Sequence, residues 1–185
     1  MKKKGDIWVS AVLYIALGMV VVTLILTAGL PLINKMRDRN TIAQTKSMMF
    51  NIDANIKAVA NEAKGSTRYL SPVDINSGQL FIGYAVDKQK PEENDTVRWF
   101  MKTNNKMIEP RMDFSEGDLK MRLDTTAVEG EYEMNVYFDY NSRYDIKLTG
   151  EYDNPLQGRY SLSIKNKGYA QGCADCLPEI EINVF

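Results

Sequence analysis

The chain has 185 residues, a net charge of −1 at neutral pH and 44% hydrophobic residues, a composition typical of folded rather than disordered proteins. It contains no histidine, which excludes His-based metal sites and Ser–His or Cys–His nucleophile pairs. Residues 40–185 hold 17 basic and 22 acidic side chains, and the resulting net charge of −5 disfavours nucleic acid as a partner.

The strongest feature is an apolar segment of 27 residues, Ile7–Ile33, which has no charged side chain. As a helix it would span about 40 Å, more than the roughly 30 Å of a bilayer core. The apolar core of a secretory signal peptide is shorter, about 7–15 residues. We therefore predict a membrane-inserted helix, with a cleaved signal peptide and a buried core helix as the alternatives.

Charge alone does not orient this helix in a membrane. Basic residues flank it almost equally, Lys2–Lys4 before it and Lys35, Arg37 and Arg39 after it. Two other features favour an external C-terminal part. Cys173 and Cys176 suit an oxidising compartment, and Asn94 fits the N-glycosylation pattern. We expect a cytoplasmic N-terminus and residues 34–185 outside.

An amphipathic pattern over residues 34–64 continues the helix. Pro31 should kink the helix rather than end it, and Lys64-Gly65-Ser66 is a stop signal. The sequence thus predicts one helix over residues 7–64, whose outer half packs on a β domain through an apolar stripe. The stripe consists of Ile42, Thr45, Met49, Ile52, Ile56, Val59 and Ala63.

After Gly65 the sequence alternates between apolar and polar residues, with turn residues between the runs. About seven such runs predict an antiparallel sandwich or a small barrel. The predicted fold class is α+β, a long N-terminal helix followed by an antiparallel β-sandwich-like domain over residues 65–185. The predicted strands are Leu80–Val86, Val97–Met101, Leu119–Asp124, Glu131–Tyr140, Tyr144–Leu148, Tyr160–Lys165 and Glu179–Val184.

The candidate chemistry is sparse. Cys173 and Cys176 form a CxxC motif between two strand patterns, which favours a disulfide over zinc binding, redox catalysis or free thiols. Acidic clusters at 92–95 and 139–145 lack EF-hand spacing, so we expect solvated loops rather than calcium sites. The sequence has no phosphate-binding loop and no nucleophile elbow. We expect no catalytic residues, no metal and no cofactor, and hence no enzyme.

The N-terminus carries a family resemblance. Lys2-Lys3-Lys4-Gly5, placed directly before the apolar segment, resembles the class III (prepilin-type) signal of archaeal filament subunits. A basic leader, a long helix containing a proline and a β-rich head are together similar to type IV pilins. The resemblance implies that residues 1–5 are a leader, removed between Gly5 and Asp6 by a peptidase on the cytoplasmic side. Bacterial pilins carry Glu at the fifth mature position, where this chain has Ser10.

The resemblance also implies a function. The chain would be a structural subunit of an extracellular filament with a role in adhesion. Its partners would be copies of itself, the membrane before assembly, the prepilin peptidase and the assembly machinery. Small residues in the helix would let neighbouring helices approach closely. They are Ser10, Ala11, Ala16, Gly18, Ala28 and Gly29. The alternative is a single-pass, membrane-anchored surface protein whose β domain binds a partner.

Overall fold

The computed structural model describes residues 3–83, 95–169 and 176–185, with side chains from Trp8 onward. The chain divides into two compact units, residues 1–40 and residues 41–185. One α-helix, α1 (Lys3–Ala60), provides all of the described part of the first unit and enters the second. The predicted continuous helix is confirmed, and Pro31 lies inside it. The kink at Pro31 stays a prediction.

The helix ends four residues earlier than predicted, and Asn166 of a distant strand accounts for this. Its amide Nδ2 donates to the carbonyl oxygens of Val59 and Glu62, both at 3.1 Å, and so satisfies groups that a helix end leaves without partners. Gly65 has a φ of 93° and donates its N–H to the carbonyl of Asn166 at 2.7 Å. Ala63 therefore lies beyond the helix and is exposed, so its predicted place in the buried stripe is wrong.

Eight strands follow the helix in the part of the chain that the structure describes. They form one sheet in the order β3-β4-β5-β2-β1-β7-β8-β6, antiparallel except for the parallel pair β6 and β8. This confirms the α+β class, but the described strands do not form the two separate sheets of a sandwich. The strands are β1 (Thr67–Ile82), β2 (Thr96–Thr103), β3 (Asp113–Glu116), β4 (Leu119–Thr125), β5 (Tyr132–Asp139), β6 (Asp145–Gly150), β7 (Leu156–Gly168) and β8 (Glu179–Val184).

The sheet bends at β1, its longest strand. The N-terminal half of β1 pairs mainly with β7 and its last four residues pair with β2. The pairing with β7 shifts register twice, between Leu70 and Val73 and between Ile75 and Leu80, and such irregularities bend and twist a strand. Gly78 lies in the second shift with a φ of 78°, where an added Cβ would be 2.5 Å from the carbonyl oxygen of Phe100. Only glycine fits this position without displacing its neighbours.

The sheet then curls back towards itself. An added Cβ on Gly83, just after β1, would lie 2.8 Å from the carbonyl oxygen of Ile146 in β6. Strand β6 is three places away from β1 in the sheet order, so this proximity requires strong curvature. A single curled sheet encloses a core between its own strands as a sandwich would, which is why the alternation of the sequence fitted both arrangements.

One hydrophobic core joins the helix to the sheet. Four residues of the predicted stripe are fully buried, and they belong to the same cluster as the inward side chains of every strand except β3. Cross-strand registers align Leu80, Trp99, Val136 and Met121 on the inward face of neighbouring strands. The packing of the outer helix half on the β domain is thus confirmed. The four stripe residues are Met49, Ile52, Ile56 and Val59.

A polar cluster fastens the helix beside this core, and we call it the Asp53 cluster: Asp53, Lys57, Asp118, Tyr140 and Arg143. The buried Tyr140 hydroxyl donates to Asp53 at 2.9 Å, and Lys57 bridges Asp53 at 2.8 Å and Asp118 at 2.7 Å. Arg143 donates to both carboxylate oxygens of Asp118, at 3.0 and 3.3 Å. Burial, followed by the charge of Asp53, raises the pKa of Tyr140, so this residue remains a neutral donor.

Removing the Tyr140 hydroxyl should destabilise the β unit. We expect Tyr140→Phe to lower the free energy of unfolding by about 1–2 kcal/mol, because the buried Asp53 loses a charge-assisted hydrogen bond. Urea unfolding of the full chain in micelles would measure this. The reporter is the emission of the buried Trp99 in a Trp8→Phe background, since the chain has two tryptophans. Tyr137→Phe is the control, because the Tyr137 hydroxyl makes no hydrogen bond among the described residues. Equal losses of unfolding free energy in Tyr140→Phe and Tyr137→Phe would contradict a stabilising role for the hydrogen bond between Tyr140 and Asp53.

Asp118 should make the β unit sensitive to acid. Hydrogen bonds from Arg143 and Lys57 hold the pKa of this carboxyl well below its usual range. The stabilisation is therefore present above the unfolded-state pKa of about 4 and is lost as the pH falls below it. Because Asp118 is 44% exposed, we expect at most about 1 kcal/mol.

The same unfolding assay at pH 6 and pH 3 would test this dependence. Asp118→Asn should lose less stability than the wild type over that interval. Asp153→Asn should behave like the wild type, because Asp153 is exposed and forms no ion pair among the described residues. If the unfolding free energies of the wild type and Asp118→Asn fell by the same amount between pH 6 and pH 3, the ion pairs of Asp118 would not contribute to the acid sensitivity.

Candidate membrane-spanning and assembly segment

The apolar segment has no intrachain cover among the described residues. Its large hydrophobic side chains from Trp8 onward, and that of Met36 just beyond its end, are 45–77% exposed. Soluble monomers rarely expose a continuous apolar surface of this extent. The helix is long and apolar enough to cross a membrane, as judged by length and composition. The exposed residues are Trp8, Val9, Val12, Leu13, Tyr14, Ile15, Leu17, Met19, Val20, Val21, Val22, Leu24, Ile25, Leu26, Leu30, Leu32, Ile33 and Met36.

The threonine hydroxyls in the segment are satisfied within the helix. The Thr23 hydroxyl donates to the carbonyl oxygen of Met19 at 2.8 Å, and the Thr27 hydroxyl donates to that of Thr23 at 2.7 Å. Such back-bonding to the preceding turn lets a hydroxyl enter a water-free environment without an unsatisfied donor. The segment can therefore lie in lipid or against another apolar helix.

The small residues of the segment do not all share one face. At 100° per residue, Ala11, Gly18 and Gly29 project within about 20° of one another. Ser10 and Ala28 form a second line about 90° away, and Ala16 lies on the far side. Added Cβ atoms on Gly18 and Gly29 would meet nothing within 4 Å. Packing against the described part of the chain therefore does not explain why these two positions are glycine.

Basic residues stand at both ends of the segment. Lys35, Arg37 and Arg39 follow it within two turns, and Lys3 and Lys4 belong to the first turn of α1. Long basic side chains at the ends of a membrane helix can extend to the lipid headgroups. The predicted cleavage pair Gly5 and Asp6 also lies within α1, in the part where the structure describes backbone only.

Two predicted sites of the head domain lie outside the described residues. These are Asn94, the predicted glycosylation acceptor, and Cys173, the first cysteine of the predicted disulfide. Cys176 is described and carries no free thiol. Its bond to Cys173 stays a prediction.

The acidic residues considered as calcium ligands join strand ends in the described part of the chain. Asp95 accepts a hydrogen bond from the backbone N–H of Ile146 at 2.8 Å. Asp139 accepts from Asn141 at 2.9 Å, and Asn141 in turn accepts from the backbone N–H of Asp95 at 3.1 Å. Burial raises the pKa of Asp95. The described residues contain no group of three or more His, Cys, Asp or Glu side chains arranged to hold a metal.

Comparison with known proteins gives no relative: no family model, no curated protein and no solved structure matches the chain significantly. The resemblance of the N-terminal region to prepilin-type signals therefore stays a prediction. The apolar segment and its exposure are the observations on which a function can be built.

Proposed function

We propose that the chain is the structural subunit of an extracellular filament of the type IV pilin kind, polymerising through its apolar segment. One observation carries the proposal. A single helix exposes its large apolar side chains over residues 8–33, while its second half is built into the core of the β unit. Such a helix can be stored in a bilayer and later packed against copies of itself, and the β unit remains folded in both states.

The line of small residues Ala11, Gly18 and Gly29 fits close packing between helices from different copies of the chain. Helices without bulky side chains at their contact approach each other closely, and the van der Waals contacts between their backbones then replace contacts with lipid. Ala11, Gly18 and Gly29 form such a line, and no contact with the described residues requires the two glycines. In the proposed precursor the N-terminus is cytoplasmic, and the β unit is outside.

A permanent membrane anchor is the second candidate. The basic residues at both ends of the apolar segment favour it, because they would hold the helix at the two headgroup layers. In this case the leader is retained, and the β unit serves as a surface-bound binding domain. The two candidates differ in the first residue of the mature chain and in what can be sheared from cells.

The first test is the state of the N-terminus. We expect electron microscopy of sheared cell-surface material to show filaments, and intact mass to give a subunit that begins at Asp6. A bulky replacement, Gly5→Leu, should leave uncleaved precursor in the membrane and no filaments, since a peptidase cutting after residue 5 needs close backbone approach. A membrane-bound wild-type chain that begins at Met1 or Lys2, with no sheared polymer, would refute the filament proposal.

The second test addresses helix packing. Gly18→Leu should still enter the membrane, since leucine is at least as apolar as glycine, but should reduce sheared filament at least tenfold by separating packed helices. Gly18→Ala is the matched control and should assemble. Both replacements favour the helix over glycine, so helix destabilisation cannot cause a loss. Immunoblots of membrane and sheared fractions give the result, and normal assembly of Gly18→Leu would exclude this packing face.

A further inference from the structure

The outer face of β1, β7 and β8 holds an open trough that the proposed assembly does not use. It has a volume of about 440 Å³, within the roughly 300–1,000 Å³ of small-molecule clefts. Tyr69 and Phe185 line it together with polar side chains from the three strands. All of these residues belong to the β unit, and none is part of the apolar segment.

The strand registers show how the trough is built. Tyr69 is paired with Ser163 and Ser163 with Asn183, so the three form one row across the strands on the outer face. Phe185 exchanges backbone hydrogen bonds with Ser161, at 2.9 and 3.1 Å, and so lies one row further along. With about 4.8 Å between strands and 6.8 Å between rows, the Cα atoms of Tyr69 and Phe185 are about 12 Å apart. Ser163 lies between them.

Both aromatic rings are available to a ligand. The side chains of Tyr69 and Phe185 are 72% and 54% exposed, and neither ring stacks on another aromatic ring of the described chain. The Tyr69 hydroxyl makes no hydrogen bond among the described residues. An aromatic residue normally buries its ring, and a buried tyrosine normally finds a partner for its hydroxyl. Here two exposed rings flank a polar floor, and neither ring is buried in the hydrophobic core.

The floor of the trough is polar and carries little charge. Ser163 and Asn183 supply a hydroxyl and an amide, and the lining has one lysine, Lys165, and one glutamate, Glu181. Glu181 is already engaged, because it forms an ion pair with Lys167 at 2.6 Å and accepts a hydrogen bond from the Thr149 hydroxyl at 3.1 Å. Lys165 is then the one cation of the lining, and it forms no ion pair among the described residues. A single lysine is less than the clustered cations with which proteins recognise phosphate or acidic groups.

We propose that this trough binds a neutral carbohydrate. A sugar ring presents an apolar face of C–H groups, which stacks on an aromatic ring, and a rim of hydroxyls, which exchange hydrogen bonds with Ser163 and Asn183. The 12 Å between the two aromatic positions leaves room for a ring between them. The two rings and the polar floor favour an uncharged sugar, because the lining offers one lysine and no cluster of cations. The site belongs to the β unit alone, so it exists whether the chain polymerises or remains an anchor.

Binding should be measured on the full chain held in lipid nanodiscs, because these contain no sugar-headed detergent. We expect saturable binding to at least one member of an array of neutral glycans, followed by titration with the methyl glycoside of its terminal sugar. Tyr69→Ala should weaken that binding at least tenfold, and Tyr69→Phe should retain the ring and most of the affinity. Tyr169→Ala is the control, since Tyr169 is similarly exposed, at 67%, but does not line the trough.

Three results would overturn the proposal. The first is no binding of any neutral glycan at millimolar concentration, and the second is binding of charged glycans alone. The third is concentration-dependent association of the β unit that Tyr69→Ala abolishes without a sugar, which would assign the trough to a second copy of the chain. The first two results do not bear on filament formation, because they concern binding of a glycan to single chains in nanodiscs.

Discussion

The burial of one face of α1 in the curled sheet is the contact on which the rest of the structure depends. A sheet with an apolar face must cover it with another layer, and residues 41–60 of the helix provide this layer in the described chain. Met49, Ile52, Ile56 and Val59 are fully enclosed, and each contributes about 1.5–3 kcal/mol of hydrophobic stabilisation. The β unit therefore cannot lose this part of the helix, and the same continuous helix carries the apolar segment.

Apolar burial holds the helix in the sheet, and a few polar contacts determine where it lies. Asn166 satisfies the carbonyl groups at its end, while Tyr140 and Lys57 satisfy the buried carboxylate of Asp53. A helix displaced by one turn would retain much of its apolar contact but would leave Asp53 buried without partners, at a cost of several kcal/mol. These polar groups thus select one position among several that hydrophobicity alone would accept.

Local periodicity predicted the helix and the strands whose pattern lies within one stretch of the sequence. It failed where contacts between residues far apart in the sequence determine the structure. The amphipathic stripe and the alternation in β4, β5, β7 and β8 were sufficient to find those elements. The helix end was misplaced because Asn166 lies 107 residues from Val59 and gives no local signal. Strand β3 has four exposed residues without alternation, and the first half of β1 is interrupted by register shifts. The trough was not predicted either, because Tyr69, Ser163 and Phe185 meet only through strand pairing.

The line of small residues Ala11, Gly18 and Gly29 matters for assembly because the proposed subunit would occupy two environments, the lipid bilayer and the filament. Lipid chains are as apolar as leucine, so moving the segment from a bilayer into a helix bundle gains little from the hydrophobic effect. Close packing along Ala11, Gly18 and Gly29 must then supply the preference for copies over lipid. In water the balance is different, because a bundled segment that separated would expose its whole apolar surface at about 25 cal/mol per Å². A filament built this way would need help to leave the membrane and would then persist outside it, since its subunits could return only through water.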